Sequence, residues 1–181
     1  MALSMTWIDR KFSSDLPAWM YPNVIERLRG TPARIEDIIR DLPSEGLIGR
    51  DGDAWSIQEH IGHLLDLEPL WIGRVEELLA GKPELRPADL SNRKTYEADH
   101  NSAALVQIMN DFRHSRSGLV RTLDAIEDAM IERAARHPRL EQPMRLLDLA
   151  SFTAEHDDHH LAHITRLKRL FVTRYTTLTN D

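Results

Sequence analysis

The sequence predicts an all-α protein, a four-helix bundle formed as one domain over residues 1–181, and three observations predict it. Four long stretches repeat apolar residues at the three-and-four spacing of one helix face. Glycine and proline gather in clumps that punctuate those stretches. No stretch alternates apolar and polar residues convincingly, so no sheet is expected.

The first helix follows Pro22, where IERLRGTPARIEDIIRDL places Ile25, Leu28, Ile35, Ile38, Ile39 and Leu42 at helical spacing. Its Gly30-Thr31-Pro32 break marks either a kink or a restart with proline in the first turn, and Pro43 ends it. The second helix has the clearest start signal. Ser56 and Glu59 form an S-x-x-E capping box directly after Trp55. Ile57, Ile61, Leu64, Leu65, Trp71, Val75, Leu78 and Leu79 then mark a stripe running to Gly81, with a bend expected at Pro69. A polar connection follows, KPELRPADLSNRKTYEADHN, which is long for a bundle loop. Long loops in compact domains are often functional, and Asn92, Tyr96 and Asn101 are available to border a site mouth. The third helix spans about Ser102 to Ile126, with Leu105, Ile108, Met109, Phe112, Leu119, Val120 and Leu123 inward. The piece EDAMIERAARHP is a candidate short helix ending at Pro138. The last helix runs from about Met144 to Val172 on Leu146, Leu147, Leu149, Ala150, Phe152, Leu161, Ile164, Leu167 and Leu170.

Composition narrows the function. Apolar residues make up 41% and charged residues 29%, an ordinary globular balance in a chain long enough to bury a core. No apolar run approaches the roughly 18 residues that span a bilayer, so no membrane partner is expected. The start, MALSMTWIDRKFSS, lacks the charged and apolar regions of a secretory signal, which makes cytoplasm the expected location. The absence of cysteine excludes disulfides, thiolate ligands and a cysteine nucleophile, leaving His, Asp and Glu to hold any metal. A net charge of −6 argues against nucleic acid. The basic stretch Arg166 to Arg169 suits a helix C-terminus, where cations favour the dipole.

Nine histidines are present, and four lie between His156 and His163 in EHDDHHLAHI. With His156 as zero, His160 falls at about +40°, His163 at about −20° and His159 at about −60° round the helix. His156 and His160 are thus one turn apart on one face, close enough for both imidazoles to reach one ion at about 2.0–2.1 Å. Catalytic ions usually have three protein ligands and an open position, so a second helix must contribute. The candidates are His60 and His63 in WSIQEHIGHLLDLE. Helix geometry slightly favours His60, and spacing leaves the choice open.

Trp55-Ser56-Ile57 followed by His63-Leu64-Leu65-Asp66 resembles the W-S/T-V…H-L-x-D signature of the DinB/YfiT family. EHDDHHLAHI is similar to that family's C-terminal H-x-x-H-H-[LI]-A-x-I element, and ERLRGTPARIE and the helix order fit too. The resemblance implies a four-helix bundle of the DinB/YfiT type, commonly a homodimer, with three histidines on one divalent ion. Carried position by position, the ligands fall on His63, His156 and His160. His60 then reads as an inward residue behind the ligands. Asp66, one turn after His63, is a candidate to orient an imidazole through its free N–H. His159 and His163 are candidates to hold a carboxylate or a substrate. His100, His114 and His137 are scattered and receive no role.

The residues suit zinc, nickel or iron without distinguishing them. The family resemblance makes thiol S-transfer the first expectation, with the metal binding a low-molecular-weight thiol beside a small-molecule substrate. Hydrolysis is the alternative, with Asp157 next to the first histidine of the pair where H-E-x-x-H enzymes place a general base. Its side chain is one methylene shorter than glutamate and points past the ion. A non-catalytic metal-binding stress protein is the reading from another class.

Overall fold

The computed structural model describes residues 6–12 and 14–178, with side chains through residue 174. Its elements run α1 (Tyr21–Ile39), α2 (Ser44–Ile48), α3 (Ile57–Leu79), α4 (Arg93–Glu97), α5 (Leu105–Asp124), α6 (Asp128–Ile131), β1 (Ala134–Arg136), β2 (Pro143–Arg145) and α7 (Leu146–Leu178). The first five residues of the start, which does not read as a secretory signal, lie outside the described residues. No helix among the described residues is long and apolar enough to cross a membrane.

The four long helices make a four-helix bundle. α1 packs on α7 and α5, and α3 packs on α5 and α7, so α1 and α3 face each other across a diagonal. Consecutive long helices are therefore not always neighbours, unlike a simple up-down bundle. α1 continues through Pro32 and α3 through Pro69. The capping box is formed as expected. Ser56 Oγ accepts from Glu59 N at 3.1 Å, and the Glu59 carboxylate accepts from Ser56 N at 2.8 Å. Gly81, with φ of 71°, takes the left-handed turn just past the end of α3.

Two apolar clusters fill the bundle. One gathers Leu28, Trp71, Leu119, Leu147 and Ala154; the other gathers Ile35, Leu64, Phe112 and Leu161. Between them lies a single buried polar layer with one residue from each long helix: Thr31, Glu68, Arg116 and Asp157. Each of these side chains sits about one turn from an apolar residue of either cluster, so the layer is continuous across the bundle.

The structure corrects the expectation of no sheet. β1 and β2 pair antiparallel, Ala135 opposite Met144, and the segment after Gly81 joins them through Leu85 N to Arg136 O at 3.0 Å and Arg136 N to Pro83 O at 2.9 Å. Strands of three residues bury one side chain each, Ala135 and Met144, which is too short for alternation to register. The candidate helix EDAMIERAARHP is correspondingly split: only Asp128–Ile131 is helical, and its second half is β1.

Candidate metal centre

The first two turns of α3 and the middle of α7 bring three imidazoles together. The capping box aims α3 so that His60 and His63 face the bundle, and the four-residue spacing stacks His156 and His160 on one face of α7. One nitrogen each from His63, His156 and His160 lies within 4.8 Å of the others, and all three residues are buried. His156 Nε2 and His160 Nε2 are 3.2 Å apart. An ion held tetrahedrally at 2.0–2.1 Å separates its ligand nitrogens by about 3.3 Å, so this pair already stands at ligand spacing. Three imidazoles with no thiolate and no carboxylate beside them fit a divalent ion of the zinc, nickel or iron type.

Protonation agrees with that fit. Burial pushes His63 down to about 4, and it holds His156 and His160 well below the ordinary histidine range. All three are neutral near pH 7, with lone pairs free to coordinate.

Hydrogen bonds behind His63 and His160 bear on which of their nitrogens faces inward, while the buried His156 Nδ1 has no hydrogen-bond partner among the described residues. Thr95 Oγ1 donates its one hydrogen to Asp66 Oδ2 at 3.0 Å, so toward His63 Nδ1, 2.9 Å away, it can only accept. The His63 proton therefore sits on Nδ1, and the Nε2 lone pair is left for an ion. His100 Nε2 donates to the same Asp66 oxygen at 2.8 Å, and the Lys94 ammonium lies 3.5 Å from the other. Burial pushes the Asp66 carboxyl up, yet the bonds from His100 and Thr95 and the Lys94 charge outweigh it and hold the group below its usual range. His60 Nδ1 lies 2.8 Å from His160 Nδ1. When His160 presents Nε2 inward its Nδ1–H donates to His60, which places His60 behind His160.

The centre opens on a cavity of about 640 Å³. Trp7, Trp55, Leu67, Leu70, Trp71 and Phe152 give it apolar walls, and Asn92 and Tyr96 from the long connection line it too. His159 and His163 reach the cavity half-buried. Arg10 Nη2 donates to His159 Nδ1 at 3.1 Å, and burial pushes His159 down to about 4. The His163 ring stacks on His60 at 5.2 Å, and burial lowers its pKa as well.

Some expected residues stand elsewhere. Asp157 is not at the cavity: it is fully buried in the polar layer, accepting from Thr31 Oγ1 at 2.7 Å and from both terminal nitrogens of Arg116. The roughly 100° of helix rotation between neighbours turns Asp157 from the histidine face into the bundle centre, away from where a general base would stand. Asp66 orients His63 through Thr95 rather than directly. Asn101 accepts from Ser56 Oγ at 2.7 Å, tying the loop to the start of α3. His114 is exposed. His100 and His137, for which the sequence predicts no role, are both buried and hydrogen-bonded. The available signal for Thr95 and His100 was their place in an unusually long connection.

A four-helix bundle with a buried three-histidine cluster lining an apolar cavity defines a bundle protein whose imidazoles could hold a metal ion. The chain belongs to the DinB superfamily, whose family model matches residues 27–164. It is similar to YfiT of Bacillus subtilis (strain 168), described as a probable metal-dependent hydrolase, with 28% identity over 155 residues covering 80% of this chain and 82% of that protein. The solved structure of YfiT, described as having an unusual four-helix bundle topology, matches with a TM-score of 0.76 at 22% identity over 90% of this chain and 93% of that one.

Proposed function

We propose that this chain is a metal-dependent hydrolase of small molecules, with His63, His156 and His160 as the ligands of one divalent ion. The observation that carries the reading is the convergence of three neutral, buried imidazoles on the floor of an apolar cavity. The hydrolase description of YfiT supports it, whereas thiol transfer draws no support from the comparisons, and hydrolysis therefore stands first.

A bound ion would supply Lewis acidity and a water of lowered pKa. The chain's own residues do the rest. Thr95 and Asp66 hold His63 in its tautomer, and His60 holds the Nδ1 proton of His160. Trp7, Trp55, Trp71 and Phe152 exclude bulk water and take the apolar body of a substrate. Arg10 occupies the Nδ1 lone pair of His159, so the neutral ring carries its hydrogen on Nε2 as a donor for a substrate oxygen. Asp53 and Asp89 are exposed at the cavity rim and Asp157 is turned away, which leaves His163 as the group placed to accept a proton. A homodimer is part of this proposal and is read by sedimentation equilibrium.

The test loads the protein with zinc, nickel or iron(II) and assays ester, amide and thiol-transfer substrates on the same sample. His63→Ala, His156→Ala and His160→Ala should each lower metal content sharply and abolish turnover, with His60→Ala losing much less metal. Metal retained in the His63 variant and lost in the His60 variant would reverse the ligand choice. Turnover confined to thiol substrates would restore the transferase.

A further inference from the structure

Two arginines in the cavity wall lack any carboxylate partner among the described residues. Arg74 is 1% exposed, yet its hydrogen-bond partners among the described residues are neutral: Nε donates to the Arg86 carbonyl at 3.0 Å, and Nη1 lies 3.1 Å from His137 Nε2. Arg139 donates Nη1 to the Ile8 carbonyl at 2.8 Å, while its Nη2 is buried without a hydrogen-bond partner. The other fully buried arginine, Arg116, faces two carboxylates, which shows what this fold otherwise does with a buried guanidinium. The nearby Glu77 is committed to Arg86, through its side chain at 2.8 Å and its backbone N–H at 2.8 Å.

The bonds around His137 sharpen the imbalance. Arg74 Nη1–H and the Leu140 backbone N–H, 3.2 Å from Nδ1, approach opposite nitrogens of the ring. Burial, then the charges of Arg74 and Arg139, push His137 down to about 4, so the ring is neutral and has one acceptor nitrogen. One of the two donors therefore goes unanswered. Burial also pushes the Arg74 guanidinium down to about 10, against the pull of Glu77 and with Arg139 and Arg86 adding to the effect. Two cations and surplus donors facing an apolar cavity form a site short of one negative charge.

We infer that Arg74 and Arg139 bind an anionic group, a carboxylate or phosphate, on the substrate. This deepens the hydrolase reading and rests on it in calling the ligand a substrate. His63 and Arg74 are eleven residues apart on α3, about 16 Å of helix axis, and arginine side chains lean back toward the helix start. The substrate class is thus an elongated molecule, with the anion at one end, an apolar body along the tryptophans and the scissile bond near the histidines.

The test measures binding, which does not require turnover. Quenching of tryptophan fluorescence is followed in zinc-loaded protein with 4-phenylbutyrate, 3-phenylpropyl phosphate and the uncharged 4-phenylbutanol. At least one anion should bind about tenfold tighter than the alcohol, the scale of one charge-assisted hydrogen bond. Whichever anion is preferred identifies the group. That preference should vanish in Arg139→Gln, persist in Arg139→Lys, and survive in the His156→Ala/His160→Ala double variant. Equal binding of alcohol and anions in the unmodified protein would overturn the inference without needing any variant. Loss of the preference in the histidine variant but not in Arg139→Gln would also overturn it, by placing the anion on the metal. An intact anion preference in a protein that hydrolyses no ester or amide would instead sink the hydrolase reading alone.

Discussion

The tautomer of His63 depends on a hydroxyl thirty-two residues away. Thr95 bridges His63 Nδ1 and the ionised Asp66, and its single hydrogen forces it to accept from the imidazole. Such outer bonds typically contribute 10- to 100-fold in metal affinity. Thr95→Val should therefore weaken binding by about tenfold or more while the three ligands remain, measured by competition with a chromophoric chelator. Unchanged affinity would mean that packing alone orients His63. The space around the relay is already full: a Cβ added at Gly62 would lie 2.2 Å from His100 Cγ, so glycine lets the His100 ring reach Asp66 across α3. At this scale the sequence was half legible. The His156–His160 pair could be read because both residues share one helix and one period. Thr95 and His100 could not, since no periodicity links a connection to the helix it folds against.

At the scale of elements, the bundle is tied by its polar layer as much as by its cores. Arg116 of α5 donates to Glu68 of α3 at 2.6 Å, to Asp157 of α7 and to the Leu28 carbonyl of α1 at 3.3 Å. Thr31 of α1 closes the ring on Asp157. Removing one partner of such a pair leaves an uncompensated buried charge, which costs about 3–5 kcal/mol. Arg116→Met should lower the unfolding free energy by that order, read as a fall in the denaturant midpoint at constant m. Asp157→Asn should lower it less, while keeping stoichiometric metal and the pH–rate profile. Full stability with lost turnover in the asparagine variant would return Asp157 to the chemistry. The long helices were legible because each repeats apolar residues over five or more turns. The polar layer had a signal too: Glu68 and Arg116 interrupt the stripes Leu64–Trp71 and Phe112–Leu119, where a charged residue has to find a buried partner. The hairpin had none, since a three-residue strand offers one inward side chain.

The whole molecule concentrates buried neutral histidines to an unusual degree, and this has a consequence for stability against pH. Burial pushes His60 down to about 3 and His63, His137 and His159 to about 4, with His156 and His160 also well below their ordinary range. In the unfolded chain all of them titrate near 6.5. Below that pH the unfolded state takes up protons that the folded state refuses, so stability falls as pH drops from about 6.5 toward 4 and is insensitive to these groups above about 7. Each such histidine contributes up to about 1.4 kcal/mol per pH unit in that window. Carboxylates held low, such as Asp66 and Asp158, act in the same direction but only near and below their unfolded values of about 4. A loss between pH 6.5 and 5 therefore belongs to the imidazoles. Urea unfolding in the presence of a chelator at pH 7.5, 6.5, 5.5 and 5.0 should show it, with midpoints falling steeply across the last three. Zinc at saturation should add stability at pH 7.5 and keep most of that increment well below pH 6.5, because the native ligands stay neutral there. A flat chelator profile would mean that the folded chain protonates its imidazoles as readily as the unfolded one, and the three lone pairs required of the metal centre would not be held ready by the fold.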